Sequence, residues 1–249
     1  MSMTFPGYLA LTAAEFAGCE TLPEQCAWMA CHFSCYGTGL SNLPDALPEG
    51  SMLIVNDRTP PAKHDSKRIA EQLRQLTDQL PIACILLDFQ RPDFPDNAQI
   101  AKVLQDLPCP VGVSMLYAEN LSCPVFLPPV PLNMPLEEYL KPWKDREVWL
   151  EAALDCRLYT LTEQGCRQSD LADIPMEHPH IFRDEKLYCH YCMDEEADKV
   201  HFSLRRNAED LLALLQEAEK LGVKKVVGLY QELRCFSDCH TSDTVTGSQ

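Results

Sequence analysis

The chain has 249 residues, 46% hydrophobic and 23% charged, a length and make-up that suit one globular α/β domain with a full core. Its 37 acidic side chains against 21 basic ones give a net charge of -16, which repels phosphates and excludes nucleic acid and anionic membranes as expected partners. The opening MSMTFPGYLALTAAEFAGCE lacks a basic stretch and meets Glu15 early, and no apolar run reaches the roughly 18 residues of a membrane span, so a cytoplasmic protein without an export signal is expected.

In chain order, eight apolar runs read as strands: GYLALTA from Gly7, AWMACHFS from Ala27, SMLIVND from Ser51, IACILLDFQ from Ile82, VGVSMLY from Val111, PVFLPP from Pro124, EVWLEAAL from Glu147 and KKVVGLYQEL from Lys224. Amphipathic stretches lie between most of them. The clearest follows the Pro60-Pro61 turn, where Asp65 or Ser66 can cap a helix whose Ile69, Leu73, Leu76 and Leu80 form one stripe. A second, AEDLLALLQEAEKLG, starts after Asn207 and stops at Gly222, a residue suited to the left-handed closing conformation.

Between Asp155 and Arg206 the pattern changes to strands joined by turns, RLYTLTEQG and then a hairpin about DEEAD, in place of a regular seventh βα unit. The expected fold is therefore an α/β (β/α)8 barrel, irregular, with an inserted β-hairpin region in its C-terminal half. One domain over 1–234 and a polar, disordered tail over 235–249 complete this reading.

Thirteen cysteines cannot all pair within one chain, and several, such as Cys31 and Cys84, sit in apolar runs where a thiol packs as a small hydrophobe. That suits a reducing cytosol. Cys189-His190-Tyr191-Cys192, with Cys235, Cys239 and His240, could supply zinc ligands, but a spacing of three along a strand puts two thiols on opposite faces. No metal is expected there. With ten glycines and no phosphate-cradling loop, no cofactor is expected either.

The most informative segment is Pro81–Pro92, an apolar strand that ends in polar residues. Alternation places Leu86, Asp88 and Gln90 on one face and Ile85, Leu87 and Phe89 on the other. The apolar set suits the helix side, so Asp88 and Gln90 are expected to look into the barrel at the carboxyl end of their strand, where barrel enzymes build their sites.

Here ACILLDFQRP resembles the strand-four signature of glycoside hydrolase family 18, Asp-Gly-x-Asp-x-Asp-Trp/Phe-Glu, with Asp88, Phe89 and Gln90 at its last three positions. The preceding strand and helix resemble the family's third βα unit, and GYLAL its first strand. The resemblance implies a barrel that acts on amino-sugar polymers, with a terminal Glu as general acid and an Asp two residues earlier steadying the substrate's acetamido group. In this chain those roles fall on Gln90 and Asp88, while Leu86 and Ala83 replace the motif's earlier acids. An amide cannot give up the proton a leaving sugar oxygen needs, a service worth about 10²- to 10⁴-fold.

Other polar strand ends offer candidates. Asp57 and Arg58, Arg91, Tyr117 and Gln231 could bind substrate beside Asp88 and Gln90, and Glu119 or Glu232 could replace the missing acid next to Asp88. Trp28, Trp143, Trp149, Tyr36, Tyr117 and Tyr230 are available for sugar stacking or for the core. Three functions fit: a small-carbohydrate binder with weak or absent hydrolysis, an active glycosidase with a relocated carboxylate, and a non-catalytic scaffold for protein partners.

Overall fold

The computed structural model describes residues 5–36, 38–59, 65–92, 97–105, 107–171 and 180–236, except the Cys235 side chain. The Pro60-Pro61 turn, Cys239, His240 and the tail from 237 onward lie outside the described residues. Within the chain, residues cluster into two compact units: one comprises Met1–Pro128, Asp145–Glu151 and Val223–Gln249, the other Pro129–Lys144 and Ala152–Gly222.

The first unit begins with β1 (Tyr8–Leu11), α1 (Ala13–Gly18), β2 (Cys26–Phe33) and the short β3 (Leu40–Ser41). It continues with β4 (Ser51–Asn56), α2 (Ser66–Gln79), β5 (Ile82–Asp88), α3 (Asn97–Leu104), β6 (Val111–Ser114), α4 (Met115–Ala118) and β7 (Val125–Leu127). Further along the chain come α5 (Leu136–Leu140), β8 (Val148–Ala152), β9 (Asp155–Thr162), β10 (Gly165–Asp170), β11 (Phe182–Asp184), β12 (Cys189–Glu196), β13 (Lys199–Arg206), α6 (Ala208–Lys220), β14 (Val223–Leu229) and α7 (Tyr230–Leu233).

Eight parallel strands, β1, β2, β4, β5, β6, β7, β8 and β14, pair in a ring that closes through β1, which bonds β2 on one side and β14 on the other. The fold is a (β/α)8 TIM-like barrel, and all eight apolar runs read from the sequence supply its strands. Two of the runs continue past their strands into helix. The β6 strand stops at Ser114 and β14 at Leu229, and each passes directly into a helical turn. At β6 the reason is a contact to the neighbouring strand: the Ser114 hydroxyl accepts from Phe89 N at 2.9 Å and lies 3.2 Å from Leu87 O, so the chain is tied to β5 and bends there.

Period-two alternation sorts each strand into two layers. Inside the ring Tyr8, Ala27, Met52, Cys84, Leu86, Phe126, Trp149 and Val227 form one buried cluster. Outside it Leu53, Ile85, Leu87 and Phe89 pack with Ile69 and Leu73 of α2 and Ile100 of α3. The α2 helix starts where the sequence indicates, with the Asp65 side chain accepting from Arg68 N at 3.1 Å. Burial pushes the Cys31 thiol up to about 12 and Cys84 to about 11, so both stay neutral small hydrophobes.

The second unit carries a five-stranded antiparallel sheet in the order β10-β9-β13-β12-β11. The expected hairpin about DEEAD is β12 and β13, closed by the Glu196–Lys199 pair. Buried Tyr159, Cys189 and Leu204 pack with Leu132 beneath one face. Cys189 therefore sits in an apolar cluster, while Cys192 hydrogen-bonds Ser203. Among the described residues no three His, Cys, Asp or Glu side chains gather as a metal cage, and none of the 11 described cysteines is in a disulfide.

Two buried charges stiffen this unit. Arg206, 2% exposed, donates to the carbonyls of Val130 at 2.7 Å, Leu187 at 3.1 Å and Tyr188 at 3.2 Å. Asp210, in the first turn of α6, accepts from Arg183 Nε at 3.0 Å and lies 2.7 Å from His190 Nδ1. Asn207 caps α6 by accepting from Asp210 N at 2.9 Å.

Candidate functional site

The carboxyl ends of the barrel strands surround a cleft of about 620 Å³. Its floor is apolar, made by inward side chains such as Ile54, Leu86, Phe126 and Val227, and its rim is polar. That volume is in the range of small-ligand sites.

Asp88 ends β5 and lines the cleft with Leu86 and Gln90, while Phe89 turns to the buried helix side. The alternation argument thus places both polar side chains on the mouth. Gln90 Nε2 donates to Asp88 Oδ1 at 2.5 Å, and Ser114 Oγ lies 3.4 Å from the same oxygen. Burial is the largest influence on Asp88 and raises its pKa, as does the charge of Asp57, while the Gln90 and Ser114 hydrogen bonds pull it back.

Asp57 has a different task. Only 2% exposed, it follows β4 and grips the turn after β5 with both oxygens, Oδ1 accepting from Gln90 N at 3.1 Å and Oδ2 from Arg91 N at 2.9 Å. A carboxylate holding two amides fixes the direction in which Gln90 leaves the strand. Asp57→Ala orphans both donors and is expected to lower the stability of the barrel by about 3 kcal/mol in urea denaturation. A loss below about 1 kcal/mol would show that the turn holds without the clamp.

Arg58 and Arg91 also line the cleft, so five sequence candidates meet there: Asp57, Arg58, Asp88, Gln90 and Arg91. The others do not line it, although the charge of Glu232 reaches Glu151 at its rim. Tyr117, in the turn after β6, packs edge-on to Phe89 at 6.1 Å and gives its hydroxyl to Arg91 O, supporting the β5 turn from the helix side. Glu119 is exposed beyond α4, and Gln231 and Glu232 are exposed on α7 rather than on a strand. The candidate aromatics are dispersed as well. Trp149 is wholly buried inside the ring, Trp28 packs on Phe16 and donates to Asn42 O at 2.8 Å, and Tyr36 is 97% exposed.

One titratable residue of the cleft, Glu151, is not among the sequence candidates. Glu151, near the end of β8, lines the mouth with Asp88. Burial, then the neighbouring charges of Asp88 and Glu232, push its carboxyl up to about 7. Glu147, Trp149 and Glu151 share a strand face, and Trp149 is inside the ring. The rule applied to Asp88 therefore also finds Glu151: an acid two residues beyond an inward core side chain, at the carboxyl end of a strand. The EVWLEAAL run hides it because the apolar residues on both sides read as continuous core.

Such a mouth offers an amide, two guanidinium groups and the carboxyl groups of Asp88 and Glu151, both raised by burial and the second to about 7. It can accept and donate hydrogen bonds to a polyhydroxylated ligand over an apolar floor, and two acids in different surroundings can divide acid and base work.

No family model matches the chain, and no curated protein matches its sequence. Among solved structures, the fold is similar to that of the spore cortex-lytic enzyme SleL of Bacillus cereus, at 9% identity and a TM-score of 0.53, over 95% of this chain and 74% of that one. It is also similar to a chitinase from Chromobacterium violaceum, at 10% identity and a TM-score of 0.51, over 92% of this chain and 96% of the other. At such identities the likeness is one of fold: these proteins share the barrel.

Proposed function

We propose that this barrel binds a small carbohydrate, an amino-sugar oligomer, at the mouth formed by its strand ends, as a divergent relative of glycoside hydrolase family 18. The observation that carries the reading is the presence of Asp88 and Gln90 side by side on an open cleft, in the order of that family's last motif positions. The cortex-lytic enzyme and chitinase names of the structural neighbours point to the same ligand class. Gln90 offers an amide that hydrogen-bonds hydroxyl groups but yields no proton, so hydrolysis through this position is weak or absent.

The net charge of -16 disfavours phosphate-rich partners, and no described helix is long and apolar enough to cross a membrane. Among the described cysteines six are buried thiols outside any disulfide, which suits a reducing compartment such as the cytoplasm.

Titration calorimetry with chito-oligosaccharides tests the reading. The unaltered protein is expected to release heat, and Asp88→Ala to bind at least about tenfold more weakly, the loss of one charged hydrogen bond. Absence of heat from every chito-oligosaccharide would reject an amino-sugar ligand.

A further inference from the structure

We infer that Glu151 is the proton donor of this cleft and Asp88 its ionised partner, so that the barrel hydrolyses glycosidic bonds with an acid carried on β8 rather than at the end of β5. The inference rests on the carbohydrate reading above. Three observations carry it. Gln90 stands two residues past the end of β5 with its amide nitrogen committed to Asp88 Oδ1. Glu151 reaches the same cleft from the opposite part of the ring, β8 being separated from β5 by β6 and β7. Glu119 is exposed beyond α4 and does not line this mouth.

The environments divide the two acids. Burial and the charge of Asp57 raise the Asp88 pKa, the hydrogen bonds from Gln90 and Ser114 hold it back, and the Asp88 charge is one of those that push Glu151 up. Glu151 is pushed up to about 7 and keeps its proton in mildly acidic to neutral solution. The charged and titratable groups around it are Asp88 and Arg91 from the β5 end, Asp57 and Arg58 from the β4 end and Glu232 from α7, while β7 and β14 present the apolar Phe126, Val227 and Leu229.

The step balances with water alone. The bond between the sugar carbon and the leaving oxygen breaks, its electron pair stays on that oxygen, and the oxygen takes the Glu151 proton. Water adds its oxygen to the sugar carbon and gives a proton to the Asp88 carboxylate, and proton return from Asp88 to Glu151 resets the pair.

The test follows binding and hydrolysis separately. Calorimetry with chitotetraose reports binding, and product analysis of the same sugar reports hydrolysis. Glu151→Gln is expected to bind within about threefold of the unaltered protein yet lose about 10²-fold or more in hydrolysis. The same variant should keep most of its rate on the dinitrophenyl glycoside of N-acetylglucosamine, whose leaving group needs no proton. In the unaltered protein, the rate on chitotetraose should fall as pH rises through about 7, where Glu151 loses its proton. This profile decides the matter even if the variant folds poorly by circular dichroism. Heat without hydrolysis, hydrolysis that survives Glu151→Gln, or a rate that does not fall above neutrality overturns the inference and leaves the binding reading standing. Absence of heat overturns the binding reading, and the inference with it.

Discussion

Trp149→Ala is expected to destabilise the barrel by about 3 to 5 kcal/mol, measured as a shift in the urea or thermal midpoint followed by circular dichroism. Trp149 is wholly buried and is the largest side chain inside the ring. Its ring lies so close over β6 that a Cβ added at Gly112 would come within 2.4 Å of Cε3, which explains why a residue without a side chain stands there. Its indole nitrogen donates to Glu147 Oε1 at 2.8 Å, and the Lys225 ammonium sits 5.5 Å from its ring centre. Truncation removes these contacts and leaves a cavity that surrounding strands, held in register by their ladders, cannot close. Trp149→Phe should recover part of the loss through its remaining ring. A change below about 1 kcal/mol for the alanine variant would mean that the interior is loosely packed.

Arg206→Met is expected to cost about 3 kcal/mol or more, read from the same measurement together with faster proteolysis within 152–222. The substitution keeps most of the volume but strands three carbonyls, those of Val130, Leu187 and Tyr188, each losing a partner from a guanidinium. An unmet buried acceptor costs about 1 to 3 kcal/mol. Burial pulls the Arg206 pKa down, yet an arginine stays charged at any pH the protein meets. Arg206→Lys should restore less than half of the loss, because one ammonium on a flexible stem cannot serve three acceptors spread around a planar fork. Full recovery by lysine would show that charge alone matters.

Much of the barrel was legible because its signal is short-range. Each barrel strand is a run of apolar residues whose partners are set by alternation, and α2 announces itself through the Asp65 cap and the Ile69, Leu73, Leu76 stripe. Strand ends were less so. Residues Met115–Ala118 and Tyr230–Leu233 continue apolar runs but form helical turns, and what bends the first is a Ser114 bond to β5, a contact remote in sequence.

The site divides in the same way. Asp88 and Gln90 stand at the end of a run whose last residues are polar, so they could be found by pattern and by resemblance. Glu151 lies between Leu150 and Ala152, both buried, and its distinction comes from charges on β5 and α7 that only the closed ring brings near it. Glu119 lies just past a strand end, much as Asp88 stands at one, but the turn of α4 leaves it exposed outside the cleft.

Closure of the ring through β1 has a consequence for how the molecule assembles. Tyr8 pairs with Val227, so the first barrel strand waits for β14, and a ribosome-bound chain holds an open sheet with two unmet edges until β14 has been made. Bringing β14 to β8 also spans the whole of 153–222, a loop-closure cost that grows only logarithmically with length and shrinks if that segment condenses first. Nascent chains arrested before β14 emerges would then expose adhesive strand borders, making the interval before its release the period of greatest dependence on chaperones.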